Sequence, residues 1–292
     1  MTNITKEKEI NFLGLNDHYT KEENANIVIY PIAFDLTTSY QHGTDKGPLA
    51  LLDASQYIEL YDIETDFEAY KKGIFTHKFQ SYQSSEDMLD QVYSTTSEYI
   101  KKGKFVAALG GEHSISFPLI KAHSDAFKNI SVLQIDAHAD LHPALDGNPF
   151  SHGSVMSRVR ELNNIKSHVA VGIRSMAVEE KPFIDHKRTF FAHDIQMDDT
   201  WMEKAIDQLS DQVYITFDLD AFDSSLMPAT GTPEPGGLTW NTALRLLRKV
   251  ASKKQVVGFD VVELLPLENF QAPNYLASKL VYKLLNYIFE GK

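Results

Sequence analysis

The chain has 292 residues, of which 43% are hydrophobic and 23% charged. That is the balance of a globule with a sizeable core, built as one α/β domain or two smaller ones. Its formal net charge of −12 argues against a nucleic-acid footprint or docking on anionic lipid and favours neutral or cationic ligands. It has no cysteine, which excludes disulfides, thiolate metal sites and a cysteine nucleophile.

No stretch approaches the roughly 18 apolar residues of a membrane span. The first eleven residues are polar, carry Lys6, Glu7, Lys8 and Glu9, and lack an apolar run of signal-peptide length. The expectation is a soluble, cytoplasmic protein with neither nucleic acid nor membrane as partner.

Residues 27–34 predict a strand, followed by a polar loop to Gly47 and a helix that opens at Pro48 and runs through Leu60. A short edge strand is predicted at 75–79. The spacing of Met88, Val92, Thr96 and Tyr99 predicts an amphipathic helix over 86–101, capped by Ser84 or Ser85 and stopped by Gly103. Strand 104–109 breaks at Gly110-Gly111, and a helix begins after Glu112-His113. The β-branched apolar run Ile130–Ile135 predicts a buried strand, with a long loop behind it to about Gly153 and a helix over 154–162. Short strands are predicted at 168–173 and 189–192. Thr200 to Glu203 has the pattern of a capping box opening a helix to Leu209. Strand 213–217, the Pro/Gly-rich loop 227–237, a helix from Thr239 to Val250, strand 256–262 and an amphipathic helix over 277–289 complete the chain. Strands alternating with helices, with no repeat and no low-complexity linker, predict a parallel sheet with helices on both faces. One domain is read.

Four strands end in something chemical. Leu109 leads into Gly-Gly-Glu-His, Ile135 into Asp-Ala-His-Ala-Asp, Phe217 into Asp-Leu-Asp, and Val262 into Glu263. The carboxyl ends of parallel strands open onto one edge, where such sheets bind ligands. If the chain stays extended past Ile135, a period of two points Asp136, His138 and Asp140 to one side. Taken singly, each residue has a plainer reading: His113 as a satisfied histidine, Asp218 and Asp220 as caps, Glu263 as half of an ion pair. Together at one edge, His113, Asp136, His138, Asp140, Asp218 and Asp220 exceed what one metal needs and suit two. Oxygen-rich ligation without sulfur favours Mn2+ or a similar ion over structural zinc. Two such ions lower the pKa of a shared water from about 16 to near neutral, giving a nucleophile without a protein base.

The motifs at 110–114, 136–140, 151–154 (Ser-His-Gly-Ser), 217–223, 229–238 and 261–263 resemble, in order and over most of the chain, the signatures of the ureohydrolases, the arginase and agmatinase family. The resemblance implies a three-layer α/β/α fold with a mostly parallel central sheet of about eight strands. It implies a single ureohydrolase-like domain over 1–292, with 1–24 an N-terminal extension. It also implies two Mn2+ per subunit: His113, Asp136, Asp140 and Asp218 would hold one, and His138, Asp136, Asp218 and Asp220 the other. Glu263 would face the substrate's guanidinium, His152 would relay protons, and Asp140 would help hold the tetrahedral species. A homo-oligomer, trimer or hexamer, is implied as well.

The loop 141–157 has no Lys or Arg but carries Asp146, so a guanidino substrate with an ammonium tail suits it better than one with a carboxylate. Agmatine, split to putrescine and urea, is the expected substrate. Guanidinobutyrate, arginine and formiminoglutamate stand behind it, and a metal-binding oligomer without turnover further back. A simple turn is the plainer reading of Asp146. The chain departs from the family pattern at Ala139, at Ser224, over 43–48, which lacks an Arg, and at Leu264-Leu265-Pro266. These departures bear on substrate more than on metal.

Overall fold

A computed structural model describes residues 10–195 and 198–291. Eight strands, β1 (Ile27–Ile32), β2 (Ile74–Thr76), β3 (Phe105–Gly110), β4 (Ile130–Ile135), β5 (Ile165–Ile173), β6 (Thr189–Phe191), β7 (Gln212–Asp218) and β8 (Gln255–Val262), form one sheet. Their order is β2-β1-β3-β8-β7-β4-β5-β6, and every neighbouring pair is parallel.

Strand alternation divides the core in two. Ile27, Ile29, Leu133 and Ile215 point to one face, where helices Gly47–Ser55, Trp240–Lys253 and Ala272–Phe289 contribute Leu51, Leu247 and Leu280. Val28, Tyr30, Val132 and Tyr214 point to the other, against Val92, Leu119 and Val159 of helices Ser85–Lys101, Ser116–Ala126 and Val155–Arg160. The result is three layers. No helix among the described residues is long and apolar enough to cross a membrane.

The predicted cap at Ser84 is present, its Oγ accepting from the Asp87 amide at 3.2 Å, and Thr239, where a helix was expected to open, caps it by accepting the Thr242 amide at 3.1 Å. Several boundaries differ from those predicted, β5 for example starting at Ile165 and β2 ending at Thr76, and three have a local cause. The capping box at Thr200 does not form, because Asp198 Oδ1 takes both the amide and the hydroxyl of Thr200, which is already helical; that helix runs Thr200–Asp207. The helix opening beside Pro48 ends at Ser55, whose hydroxyl donates to the Leu52 carbonyl and accepts from the Leu13 amide. The last helix begins at Ala272, five residues early, with Pro273 in its first turn, where no N–H is needed. Ahead of β1, Phe12 is fully buried and its amide donates to Thr76 Oγ1, so the segment from Ile10 packs onto the sheet's helical layer.

Candidate metal centre and active site

The carboxyl ends of β3, β4, β7 and β8, the four middle strands, supply the site. After β3, a Cβ on Gly111 would lie 2.1 Å from the Phe34 carbonyl oxygen, so only glycine lets the β1 and β3 loops approach this closely. Glu112, fully buried, then accepts from the amide and hydroxyl of Thr37 and from Ser114 Oγ, which turns His113 inward.

His113 Nε2 lies 2.8 Å from Thr216 Oγ1, whose own hydroxyl donates to Asp260 Oδ1 at 2.7 Å. The Thr216 oxygen therefore accepts from Nε2–H, and Nδ1 is the ring nitrogen turned toward the acids. That Nδ1 is buried and has no hydrogen-bond partner. It nonetheless faces Asp140 Oδ2 at 2.9 Å, Asp136 Oδ2 at 3.2 Å and Asp218 Oδ2 at 3.4 Å. A ring nitrogen among three carboxylate oxygens is the environment of a cation, and without a metal those carboxylates hold the His113 imidazole protonated well above its ordinary range.

The second imidazole repeats the arrangement. His138 Nδ1 lies 2.9 Å from Asp220 Oδ2 and 3.8 Å from Asp136 Oδ1. The ligand atoms fall into two compact groups, His113–Asp136–Asp140 and Asp136–His138–Asp220, with Asp136 in both. Asp218 borders the first group, and its other oxygen caps the turn at Asp220 by accepting that residue's amide at 2.8 Å. The capping reading and the ligand reading of Asp218 are thus compatible, one per oxygen.

Electrostatics point the same way. Burial, joined by the charge of Asp136, pushes Asp140 up to about 6. Burial and the charges of Asp220 and Asp136 raise Asp218 well above the usual carboxylate range. Burial works against the charged form of His138, but Asp220, Asp136 and Asp140 overcome it and lift the imidazole to about 11. Without a metal this cluster retains protons, and the donor set of four carboxylates and two imidazoles fits two divalent ions that would replace them.

A cavity of about 370 Å³ opens over this edge. Glu263 lines it in a left-handed backbone conformation, φ +67°, and its Oε1 accepts from the His113 amide at 2.7 Å. Burial, then the charge of Glu112, pushes its carboxyl up to about 8. Asp140 is left-handed too, φ +53°, and such strain in non-glycine residues gathers at functional sites.

His152 enters from the loop after β4. Its amide donates to Thr37 Oγ1 at 3.0 Å, and its ring nitrogens lie 3.4 Å from Thr37 Oγ1 and Ser39 Oγ. Burial depresses it to about 4. Asp146 is not brought in: it is exposed at φ +51° in the turn closed by Asn148 N to Leu145 O, and it is Leu145 that lines the cavity. The acid that does line the outer cavity is Glu234, whose Oε1 lies 4.0 Å from His138 Nε2.

Three further residues carry the site, of which only Asp223 falls within a quoted motif. Arg174 donates to the carbonyls of Gly172, Asp220, Phe222, Glu234 and Pro235. Asp223 Oδ2 accepts from the amides of Gly236 and Gly237. Both tie the Pro/Gly-rich loop to the segment that carries Asp218 and Asp220. Glu180 accepts from the amides of Leu141 and Ala177 and faces His142 at 3.4 Å. Most of the partners of Arg174, and the Leu141 partner of Glu180, lie 39 to 61 residues away; the Gly/Pro run at 227–237 hinted only at the loop that Asp223 binds.

An open parallel sheet that gathers two imidazoles and four acids into adjoining groups at its carboxyl edge is the architecture of a binuclear-metal hydrolase. The arginase family model matches residues 25–286, and the chain belongs to that family, hydrolases that act on guanidino groups. It is 35% identical to the N(1)-aminopropylagmatine ureohydrolase of Synechocystis over 94% of this chain and 92% of that one. It is 31% identical to the agmatinase of Bacillus anthracis over 90% and 92%. The crystal structure of the agmatine ureohydrolase of Thermoplasma volcanium superposes with a TM-score of 0.85 at 28% identity, over 97% and 95% of the two chains.

Proposed function

We propose that this chain is a manganese-dependent ureohydrolase for a guanidine whose tail ends in an ammonium group, releasing urea and an amine. One observation carries the choice of tail. Among the described residues, no Lys or Arg lines the cavity, whereas Glu234 and Glu263 do. A carboxylate tail such as that of arginine or guanidinobutyrate would find no cation there and would meet Glu234. Agmatine fits the charge pattern. Its N1-aminopropyl derivative carries a second amine along the tail, and the higher identity to enzymes named for that substrate favours it as the second reading.

When bound, the metal pair supplies a nucleophile at neutral pH by acidifying a shared water. The chain supplies the rest. Glu263 pairs with the guanidinium and fixes its carbon over the ligand cluster; the bound cation returns its carboxyl to the anionic form. Asp140 lines the same space and accepts N–H groups as that carbon becomes tetrahedral. His152, neutral at pH 7, takes up the proton shed by the attacking water and passes it to the departing nitrogen. The carbon–nitrogen bond then breaks, the second proton of the former water passes from the new carbon–oxygen group to the released amine, and urea and an ammonium remain. A homo-oligomer, trimer or hexamer, belongs to the same reading and rests on the family resemblance.

The deciding experiment measures urea release by the Mn2+-loaded protein from agmatine, N1-aminopropylagmatine, arginine and guanidinobutyrate. The two ammonium-tailed substrates are expected to exceed the others at least tenfold in kcat/KM. Preference for arginine or guanidinobutyrate would refute the tail assignment, and absence of urea from all four would refute the hydrolase reading.

A further inference from the structure

Behind Asp136, on the side away from the cavity, a file of four side chains leads out of the site. Arg160 Nε donates to His168 Nδ1 at 2.9 Å, and His168 Nε2 lies 2.8 Å from Gln134 Oε1. Gln134 Nε2 donates to Asp136 Oδ2 at 2.8 Å and to the His138 carbonyl at 3.1 Å. Gln134 is fully buried and His168 nearly so. Arg160 lines a separate cavity of about 250 Å³ with Arg188 and Asp185.

The polarity of this file has one solution. A guanidinium only donates, so His168 Nδ1 must accept and its proton must sit on Nε2. That proton requires the Gln134 oxygen to face His168, which turns both amide hydrogens toward the metal centre. Burial, reinforced by the Arg160 charge, depresses His168 well below its ordinary range, so the ring stays neutral. On Asp136, Oδ2 receives the Gln134 hydrogen and Oδ1 the His138 amide at 2.7 Å. Each oxygen keeps lone-pair capacity, Oδ2 on the His113 side and Oδ1 on the His138 side. An amide turned the other way would set its oxygen 2.8 Å from a carboxylate oxygen.

We propose that Arg160, His168 and Gln134 are positioning residues for the shared ligand: Arg160 sets the His168 tautomer, which sets the Gln134 amide, which holds Asp136 open to two metals at once. This rests on Asp136 as a shared ligand and is independent of the substrate. It also separates two arginines on one cavity, since Arg188 has no bond to His168.

The test begins with the unaltered chain. Selective 15N-histidine labelling of the metal-free protein is expected to show His168 protonated on Nε2 alone; a ring protonated on Nδ1, or on both nitrogens at pH 7, overturns the proposal without any variant having to fold. Mn2+ affinity is then measured by competition with a chelating dye. Arg160→Leu is expected to scramble the His168 tautomer and weaken binding by about 10–100-fold. Arg188→Leu, which removes the same charge from the same cavity, is expected to change neither. Wild-type affinity in Arg160→Leu, or an equal loss in Arg188→Leu, overturns the relay. Neither readout involves turnover, so the relay can fail while urea release persists, and the reverse.

Discussion

Asp136 and Glu263 are both buried acids at the same sheet edge, yet their removal should have different signatures. Truncating Asp136 takes an oxygen from each of the two ligand groups and strands the Gln134 amide. Glu263 is bonded to the His113 amide, and a glutamine there retains an accepting oxygen. Asp136→Ala is therefore expected to lose both metals by elemental analysis. Glu263→Gln should keep them and lose about 100-fold or more in rate, the scale of a misoriented substrate; retention of both metals by Asp136→Ala would contradict its shared position. A residue outside the site gives a pH prediction. His123 is fully buried against Gly258, with Nε2 unpartnered, and burial depresses it to about 4. Its folded pKa lies below its unfolded value of about 6.5, so the unfolded chain binds the proton first. The stability tied to its neutral form is complete above about 6.5 and is lost as pH falls toward 4, by on the order of 2–3 kcal/mol. Urea midpoints between pH 6.5 and 4.5 should fall less steeply in His123→Leu than in the native chain, and parallel slopes would exclude the assignment.

At the scale of elements, apolar runs marked all eight strands, and the acids and imidazoles following four of them marked the site, because both signals are local. What was not local was not legible. Arg174 reads as an ordinary strand-end arginine, and its partners at Asp220, Phe222, Glu234 and Pro235 lie 46 to 61 residues further on. Asp146 illustrates the converse: its charge suggested a contact, while its neighbours Gly147 and Asn148 built a turn that carries it outward. Arg174→Met removes the charged donor from five carbonyls, and a loss of about 2–4 kcal/mol is expected in denaturant unfolding. Metal occupancy should fall on the His138–Asp220 side, since the Asp220 carbonyl is one of the five. Arg174→Lys should recover little, as an ammonium lacks the planar five-donor fork. Full stability in Arg174→Met would show that the loop is held by Asp223 alone.

For the whole molecule, alternation of strand and helix was enough to announce layers of helix on a parallel sheet. Strand order was not readable, because each buried strand carries a similar apolar code and nothing in it names its neighbour. That order has a consequence for how the chain comes together. By residue 191 six strands exist, and they belong to two separate triplets, β2-β1-β3 and β4-β5-β6, which share no pairing. The strands that join them, β7 and β8, come last and go into the middle. Until then the growing chain presents two bare inner edges, on β3 and β4, and holds the candidate ligands of those two strands on opposite sides of a gap. The acids and imidazoles of β3 and β4 therefore come to face one another only after the last two strands of the sheet have been inserted between them.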